Sequence, residues 1–521
     1  MSTANSAIVS TNEGYPETDT LLVVVRPRMC DSHSDGLGGG ETQDVDEETH
    51  VVTAFLRNDG EVLLLRRSDA VGSYVGQWGG VSGFAEGDPD DQVWVEIAEE
   101  TGLEGSVSLV RSSRPVTVPD AALGRTWIVH PYLFDCESHE VETSVEHDAV
   151  EWVPPTVILD DERETVPMLW ETYEHVAPTV RSIAADADHG AAHLSIRALE
   201  VLRDRAGVLV AERSSDERVD DATDEPNRNT VSVDSIEDSV DDGKANQVAP
   251  IDREAEWDEL AALAHRLLET RPSMAVLRNR VNRAMAEAFD ADGTGESTDD
   301  GSGYSSPPAE AAVVLESTID GIEGALAADG DAASAAAERI DGSVATLSWS
   351  GTVRDALRDG SPSRIFVAES RPECEGVRLA ESLSEEYPVT LHTDAASAHV
   401  FAREAVDALL VGADTVLPDG SVVNKAGTRV LALAARHEGI PVVVVAASDK
   451  CSTRESVNLE SGSHAAVYDG DAPLDVANPT FDVTPAACVS QIVTERGVLA
   501  PGDVESVVEE LRALESWHER R

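Results

Sequence analysis

From Gly342 onward the sequence alternates short β-branched runs with helical stretches, and few folds accommodate that pattern. The runs GSVATLS, RIFVAES, VTLHT, ALLVGAD and PVVVVAA read as strands. GVRLAESLSEE, AASAHVFAREA and GTRVLALAARHEG read as the helices between them. Strands apolar along their whole length are covered on both faces, so the alternation predicts a parallel, doubly wound sheet. Ligands on such sheets bind beyond the carboxyl ends of the strands, where ESRP, TDA, GAD and SDK fall.

Upstream, the pattern changes twice. HVVTAFL and EVLLLRR are strand-like runs separated by RNDG, a hairpin signal. A glycine-rich loop, GQWGGVSGF, and an amphipathic helix from about Asp90 to Thr101 follow, then strands in WIVHPYLFDC and AVEWVPP. Helical stretches come next, interrupted by an acidic segment from about Ser214 to Gln247 with almost no large apolar residues, which reads as a disordered insertion. A second loop, DADGTGESTDDGSGYSSPP, precedes the alanine-rich helix AAVVLESTIDGIEGALA. The expected organisation is a flexible extension over residues 1–47, with LLVVV as its one strand candidate, and an α/β/α domain over 48–179. A helical subdomain over 180–340 and a Rossmann-like domain over 341–521 complete it.

Asp and Glu number 99 against 39 Lys and Arg, giving a formal charge of −60 spread along the chain. That field repels nucleic acid phosphates and anionic membranes, so neither is an expected partner. It suits a salt-saturated cytoplasm, where self-repulsion is screened over a few ångströms. No long apolar stretch opens the chain, and the five cysteines have no CxxC spacing. A soluble cytoplasmic protein with free thiols is expected. The 14 histidines show no metal-ligand spacing.

Only three residues are lysine, and two of them, Lys425 and Lys450, sit just past predicted strands, in NKAGT and SDKCS. With Arg371 of ESRP they offer positive charge at one sheet edge of a strongly negative chain, which suits an anionic ligand. Asp414, closing ALLVGAD, is placed to contact a sugar hydroxyl or act as an acid/base, and Asn424 to hydrogen-bond the same ligand. Both residue types also simply favour turns. Gly190 and Ala191 open a helix whose N–H groups can approach a phosphate.

In the N-terminal part, Glu96, Glu99 and Glu100 are spaced i, i+3 and i+4 and share a helix face. Hard carboxylate oxygens suit magnesium, which bridges pyrophosphates and activates water. The alternative is a solvated acidic face.

Two strands, WGGVSG and VEIAEETGL together resemble the Nudix hydrolase family. Glu96, Ile97, Glu99, Glu100, Gly102 and Leu103 match its box, which implies a magnesium-dependent hydrolase of nucleoside diphosphate derivatives. Val95 stands where the family has an arginine orienting the first glutamate. A shortened loop leaves Glu86 or Asp88 as the upstream acid.

IAADADHGAAHL, TRPSMAVLRN, ESRPECEG, TDAASAH, VGADTVLPDGSVVNKAGT and NPTFDVTPAACVSQIVTERG resemble the translation initiation factor 2B alpha/beta/delta subunit family, which includes ribose bisphosphate and methylthioribose phosphate isomerases. The resemblance implies a nucleotide or sugar phosphate ligand, homo-oligomers and a translation factor as partner. The family's isomerases pair a cysteine with the aspartate of GAD. Here Ser348 occupies that place and His189 replaces an arginine, so a regulatory binding domain is the expectation and isomerisation the weaker reading.

Overall fold

The computed structural model describes residues 47–186, 189–223, 253–292 and 309–519. The expected N-terminal extension and LLVVV, Cys30, most of the acidic segment and most of the second loop lie outside them.

The first sheet is mixed and eight-stranded. It comprises β1 (Glu47–Asn58), β2 (Glu61–Arg67), β3 (Trp78–Gly79), β4 (Val81–Phe84), β5 (Val107–Ser112), β6 (Val116–Asp120), β7 (Arg125–Cys136) and β8 (His147–Val153). Asp59 and Gly60 both take positive φ (48° and 84°) and close the β1–β2 hairpin. Two left-handed residues match the right-handed strand twist in a two-residue turn, as the Asp-Gly signal predicts. Along β1 the side chains alternate. Val52, Ala54 and Leu56 pack with Val93 and Ile97 of helix α1 (Pro89–Thr101), while Phe55 packs with Leu169 and Tyr173 of α2 (Leu169–Glu174). The period of two therefore builds the expected α/β/α layering.

The short α3 (Val180–Ala185) leads into the helical part: α4 (Ala191–Thr223), α5 (Arg253–Thr270), α6 (Ala275–Asp292) and α7 (Ala311–Ala337). Their shared core holds Leu199, Leu202, Leu260, Leu277 and Met285. Ser214 to Thr223, read from composition as the start of the disordered insertion, are helical and belong to α4. Composition reports burial, whereas a helix already nucleated extends past its buried part by one hydrogen bond per residue.

The remainder is built from β9 (Ser343–Leu347), α8 (Gly351–Asp359), β10 (Arg364–Ala368), α9 (Glu375–Leu383), β11 (Val389–His392), α10 (Ser397–Arg403), β12 (Ala408–Gly412), β13 (Thr415–Val416), β14 (Val422–Lys425), α11 (Thr428–Glu438), β15 (Val442–Val445), β16 (Phe481–Thr484), β17 (Gln491–Thr494), β18 (Gly497–Leu499) and α12 (Val504–Leu514). Seven strands run in the order β11-β10-β9-β12-β15-β17-β18, all parallel except β18, and β13-β14-β16 form a separate small sheet. Helices α10, α11 and α12 cover one face, and α7, α8 and α9 the other. The strand order reverses between β9 and β12, and such a reversal opens a crevice at the strands' carboxyl ends. Among the described residues, no helix is long and apolar enough to cross a membrane.

A buried ionic seam joins the first sheet to α4. Arg57 on β1 contacts Asp135 on β7 at 2.7 Å and Glu200 on α4 at 3.4 Å, and Arg197 pairs with Glu200 from the next turn. Arg203 donates to the Gly60 carbonyl at 2.5 Å and pairs with Asp204, which accepts from Tyr173 at 3.1 Å. Burial alone would raise the Glu200 carboxyl; Arg197, Arg57 and Arg203 outweigh it and bring it down to about 2. Because the folded value is depressed, its stabilisation is present above the ordinary glutamate range and is lost as pH falls towards 2. Glu200→Ala leaves buried guanidinium groups unpaired and is expected to cost about 3–5 kcal/mol. Denaturant unfolding at neutral pH checks this, and the gap between variant and wild type should narrow below pH 4.

Candidate functional site

Helix α1 sets the first site. Asp88 caps it by accepting from the Asp90 N–H at 3.1 Å, and Gly102 ends it in the left-handed conformation. Ile97 and Val93 face the core, which turns Glu96 and Glu99 towards a cleft of about 630 Å³ that Glu86 and Glu146 also line. Of the two candidates for the upstream acid, Glu86 therefore reaches the cleft while Asp88 is spent on the cap.

Glu100 lies behind this cleft, 3% exposed, accepting from the Ser82 N–H at 3.1 Å. Burial, with Glu96 and Glu146 nearby, pushes its carboxyl up to about 8 despite that bond. His147 stands 3.9 Å away, but burial and Arg67 lower its imidazole to about 4, so it is neutral and leaves Glu100 uncompensated at neutral pH. Burial and the neighbouring Glu99, Glu146 and Glu86 also raise Glu96. Mutually repelling oxygens on one cleft wall fit a hard divalent cation such as magnesium.

Val95, in place of the expected arginine, is 44% exposed. Gln92, one turn before Glu96, donates to its Oε1 at 2.8 Å and holds it instead. That i, i+4 spacing was legible in the sequence and was overlooked. Gly83 is needed for contact: a Cβ there would lie 2.0 Å from the Glu96 carboxyl carbon. The opposite wall is aromatic. Trp127 has Tyr74 and Phe84 at 6.2 Å and the Arg125 guanidinium 5.0 Å from its ring. These residues come from three separated segments, so no local pattern announced them.

The second site lies at the strand-order reversal. Ser348 follows β9 and Asp414 follows β12, the two strands that flank it. Burial raises the Asp414 carboxyl to about 6, although Lys450 and Lys425 both favour its charged form. Lys425 Nζ contacts Glu375 at 2.9 Å and Glu373 at 3.4 Å. The other Glu375 oxygen accepts from Ser348 Oγ at 2.5 Å. Ser348 therefore has a carboxylate beside it, supplied by the first turn of α9. Glu375 belongs to the ESRPECEG string, but its meeting with Ser348 is a tertiary contact that no spacing reveals.

Asp414, Lys425 and Lys450 are thus brought together. Asn424 donates to Thr428 Oγ1 at 3.0 Å and organises the start of α11. Arg371 is exposed and lines an adjoining cavity of about 380 Å³ with Asp394, Gly427 and Asn478, its backbone N–H bonded to Asp394 at 2.7 Å. Gly190 and Ala191 open α4, and among the described residues no hydrogen bond or ion pair joins them to the Lys425 cluster. Trp78 and Trp349 pack beneath arginines, as Arg163 lies 4.5 Å from the first ring and Arg378 4.1 Å from the second. Burial pushes the Cys451 thiol up to about 12, which makes it unreactive. The expectation that the histidines show no metal-ligand spacing is corrected: His189 and His193 stand at i, i+4, and Asp135 lies with them as a potential ligand group.

Comparison with known proteins places these sites in families. The NUDIX domain model matches residues 48–174, and the Initiation factor 2 subunit family model matches residues 224–501. The chain is 39% identical over 170 residues to the methylthioribose-1-phosphate isomerase of Pseudomonas aeruginosa (strain UCBPP-PA14), covering 30% of this chain and 46% of that protein. It is 37% identical over 182 residues to the protein of the same name from Gloeobacter violaceus, covering 31% and 51%. The chain thus spans about half the length of these curated relatives. Similar solved structures include the Pyrococcus horikoshii OT3 translation initiation factor eIF-2B, at 22% identity and a TM-score of 0.44, covering 62% of this chain and 95% of that one. The 5-methylthioribose 1-phosphate isomerase of the same organism gives 21% and 0.44, covering 70% and 90%.

Two outcomes follow from the geometry. Gly83→Ala and Gln92→Leu should each weaken Mn²⁺ binding to the first cleft about tenfold or more, read by electron paramagnetic resonance, because each disturbs the support of Glu96. Asp414 has a raised folded value, so its stabilising contribution is present below the ordinary aspartate range and is lost as pH rises through about 6. Asp414→Asn should therefore unfold at higher denaturant than wild type at pH 8, and the difference should close below pH 4.

Proposed function

Because the chain belongs to the Initiation factor 2 subunit family and carries a NUDIX domain ahead of it, we propose a two-site protein. The N-terminal cleft hydrolyses nucleoside diphosphate derivatives, and the C-terminal cleft binds a nucleotide or sugar phosphate. The observation that carries the first half is the convergence of Glu96, Glu99, Glu86 and Glu146 on one cleft with an aromatic far wall. Glu96 and Glu99, with Glu100 behind them, would hold magnesium, which when bound neutralises pyrophosphate charge and lowers the pKa of a water. Trp127 and Phe84 offer faces for a base to stack on, and Arg67 and Arg125 offer charge for phosphate oxygens. Glu146, from the loop before β8, is available to take the proton of the attacking water.

The hydrogen bond from Ser348 to Glu375 favours a second reading for the C-terminal cleft: sugar-phosphate isomerisation. Such a reaction moves a proton between adjacent carbons and needs a base and an acid on the same substrate. Glu375, presented through or beside Ser348 and anchored by Lys425, supplies the base. Asp414, raised towards neutrality, supplies the acid. The matched curated relatives carry the name of such an isomerase, which also favours this reading over the expectation that isomerisation was the weaker one. A regulatory subunit acting on a translation factor would instead bind the phosphate without turnover.

Phosphorus NMR at molar KCl with magnesium, nucleoside diphosphate derivatives and pentose 1-phosphates separates these outcomes. Loss of pyrophosphate resonances that stops in Glu99→Gln supports the hydrolase. Interconversion of sugar phosphates that survives Glu99→Gln but falls at least a hundredfold in Glu375→Gln supports the isomerase. Line broadening without turnover in either cleft would sink both activities and leave a binding protein.

A further inference from the structure

A third group of side chains lies at the ionic seam, apart from both clefts' reacting residues. His189 and His193 sit one turn apart at the start of α4, their rings stacked with centroids 4.2 Å and planes 13° apart, so sharing one ion requires one ring to turn out of the stack. Asp135, near the end of β7, faces them, and one ligand atom from each residue lies within 4.8 Å of the other two. We propose that Asp135, His189 and His193 bind a divalent transition metal ion of the zinc class, joining the N-terminal sheet to α4.

The donor set is two imidazole nitrogens and one carboxylate oxygen, which suits zinc, cobalt or nickel better than magnesium. Asp135 and His189 are each held by a neighbour. Arg57 contacts Oδ1 of Asp135 through Nε at 2.8 Å and a second nitrogen at 2.7 Å, which leaves the other carboxylate oxygen without a contact from Arg57. Nδ1 of His189 lies 2.9 Å from an Asp186 carboxylate oxygen, so that nitrogen carries the proton and Nε2 keeps its lone pair. A carboxylate behind a histidine is the usual support of a metal-ligating imidazole.

Two features bear on occupancy. Arg197 Nε lies 3.3 Å from His193 Nε2, a long contact, and Arg197 remains paired with Glu200 if an ion displaces it. The His189 side chain is 42% exposed, so an ion has an entry path and a solvent molecule has room to complete a four-coordinate shell. Because Asp135 belongs to the first sheet and the histidines to the helical part, binding is linked to the stability of the seam.

Cobalt titration of the full, tag-free chain at molar KCl tests the site, in a Glu96→Gln/Glu99→Gln background that silences the carboxylate cleft. One equivalent of Co²⁺ should develop the strong visible bands of a four-coordinate site and be displaced by Zn²⁺. Both His193→Gln and Asp135→Asn should abolish the bands. His189→Gln changes an exposed residue and should fold normally, so it guards against misfolding of the buried variants; it should weaken binding tenfold or more. Asp186→Asn should lose about 10–100-fold, the usual cost of removing such support. At one fixed free Zn²⁺ concentration, the denaturant midpoint of the background chain should rise and that of His189→Gln should rise by clearly less. Weak uptake of many equivalents without the bands, or bands that persist in a folded His189→Gln chain at unchanged affinity, would overturn the proposal.

Discussion

The contact between Arg57 and Glu200 is the constraint from which much of the architecture follows. Arg57 closes β1 against β7 through Asp135 and, from the same guanidinium, reaches α4. Removing these charges from water is expensive, and the cost is offset only while every partner stays in place. The sheet, the β1–β2 turn held by Arg203 and the first turns of α4 therefore share one buried charge network. A hydrophobic contact of the same area would tolerate sliding. A bidentate arginine with fixed acceptors does not, and this fixed seam is what holds Asp135 within ligand distance of two histidines on another element.

The same charge logic separates the two clefts. In a chain of formal charge −60, exposed carboxylates are the background, and a carboxylate cluster is distinguished only by what surrounds it. Around Glu96 and Glu100 the neighbours are other glutamates and a neutral histidine, with Arg67 as a smaller opposing charge near Glu100, so burial and repulsion prevail and both carboxyls rise. Around Glu375 there is a lysine and a serine hydroxyl, and the carboxylate is satisfied without an added ion. The first arrangement gathers negative charge that a cation would offset. The second is already paired within the protein.

What could be read in advance was local. The Asp59–Gly60 turn, the helix face carrying three glutamates and the alternation that builds the parallel sheet each depend on residues within a few positions of one another. Gln92 is equally local, one turn before Glu96 on the same helix. Glu375 beside Ser348, Asp135 beside His189 and the aromatic wall of the first cleft could not be read this way. Each joins segments whose meeting depends on how sheets and helices pack, and no periodicity encodes that. The helical run through Ser214 to Thr223 departs from the composition reading for a different reason: polarity argues against burial and does not bar a backbone from the helix.

The strand-order reversal explains why the chain keeps lysine at its second site. A crevice between β9 and β12 has backbone dipoles and strand ends but no intrinsic charge, so an anionic ligand needs a cation brought to its rim. Lys425 arrives from the small β13-β14-β16 sheet and Lys450 from the turn after β15, and both favour the charged form of Asp414. Lys425 is already paired, with Glu375 at the shorter distance and Glu373 at the longer. Glu373 is the more exposed of the two partners, and Glu375 is also held by Ser348. On the proposed reading, an anionic ligand would take the place of Glu373 at Lys425, so the lysine exchanges one anion for another without losing the partner that Ser348 fixes.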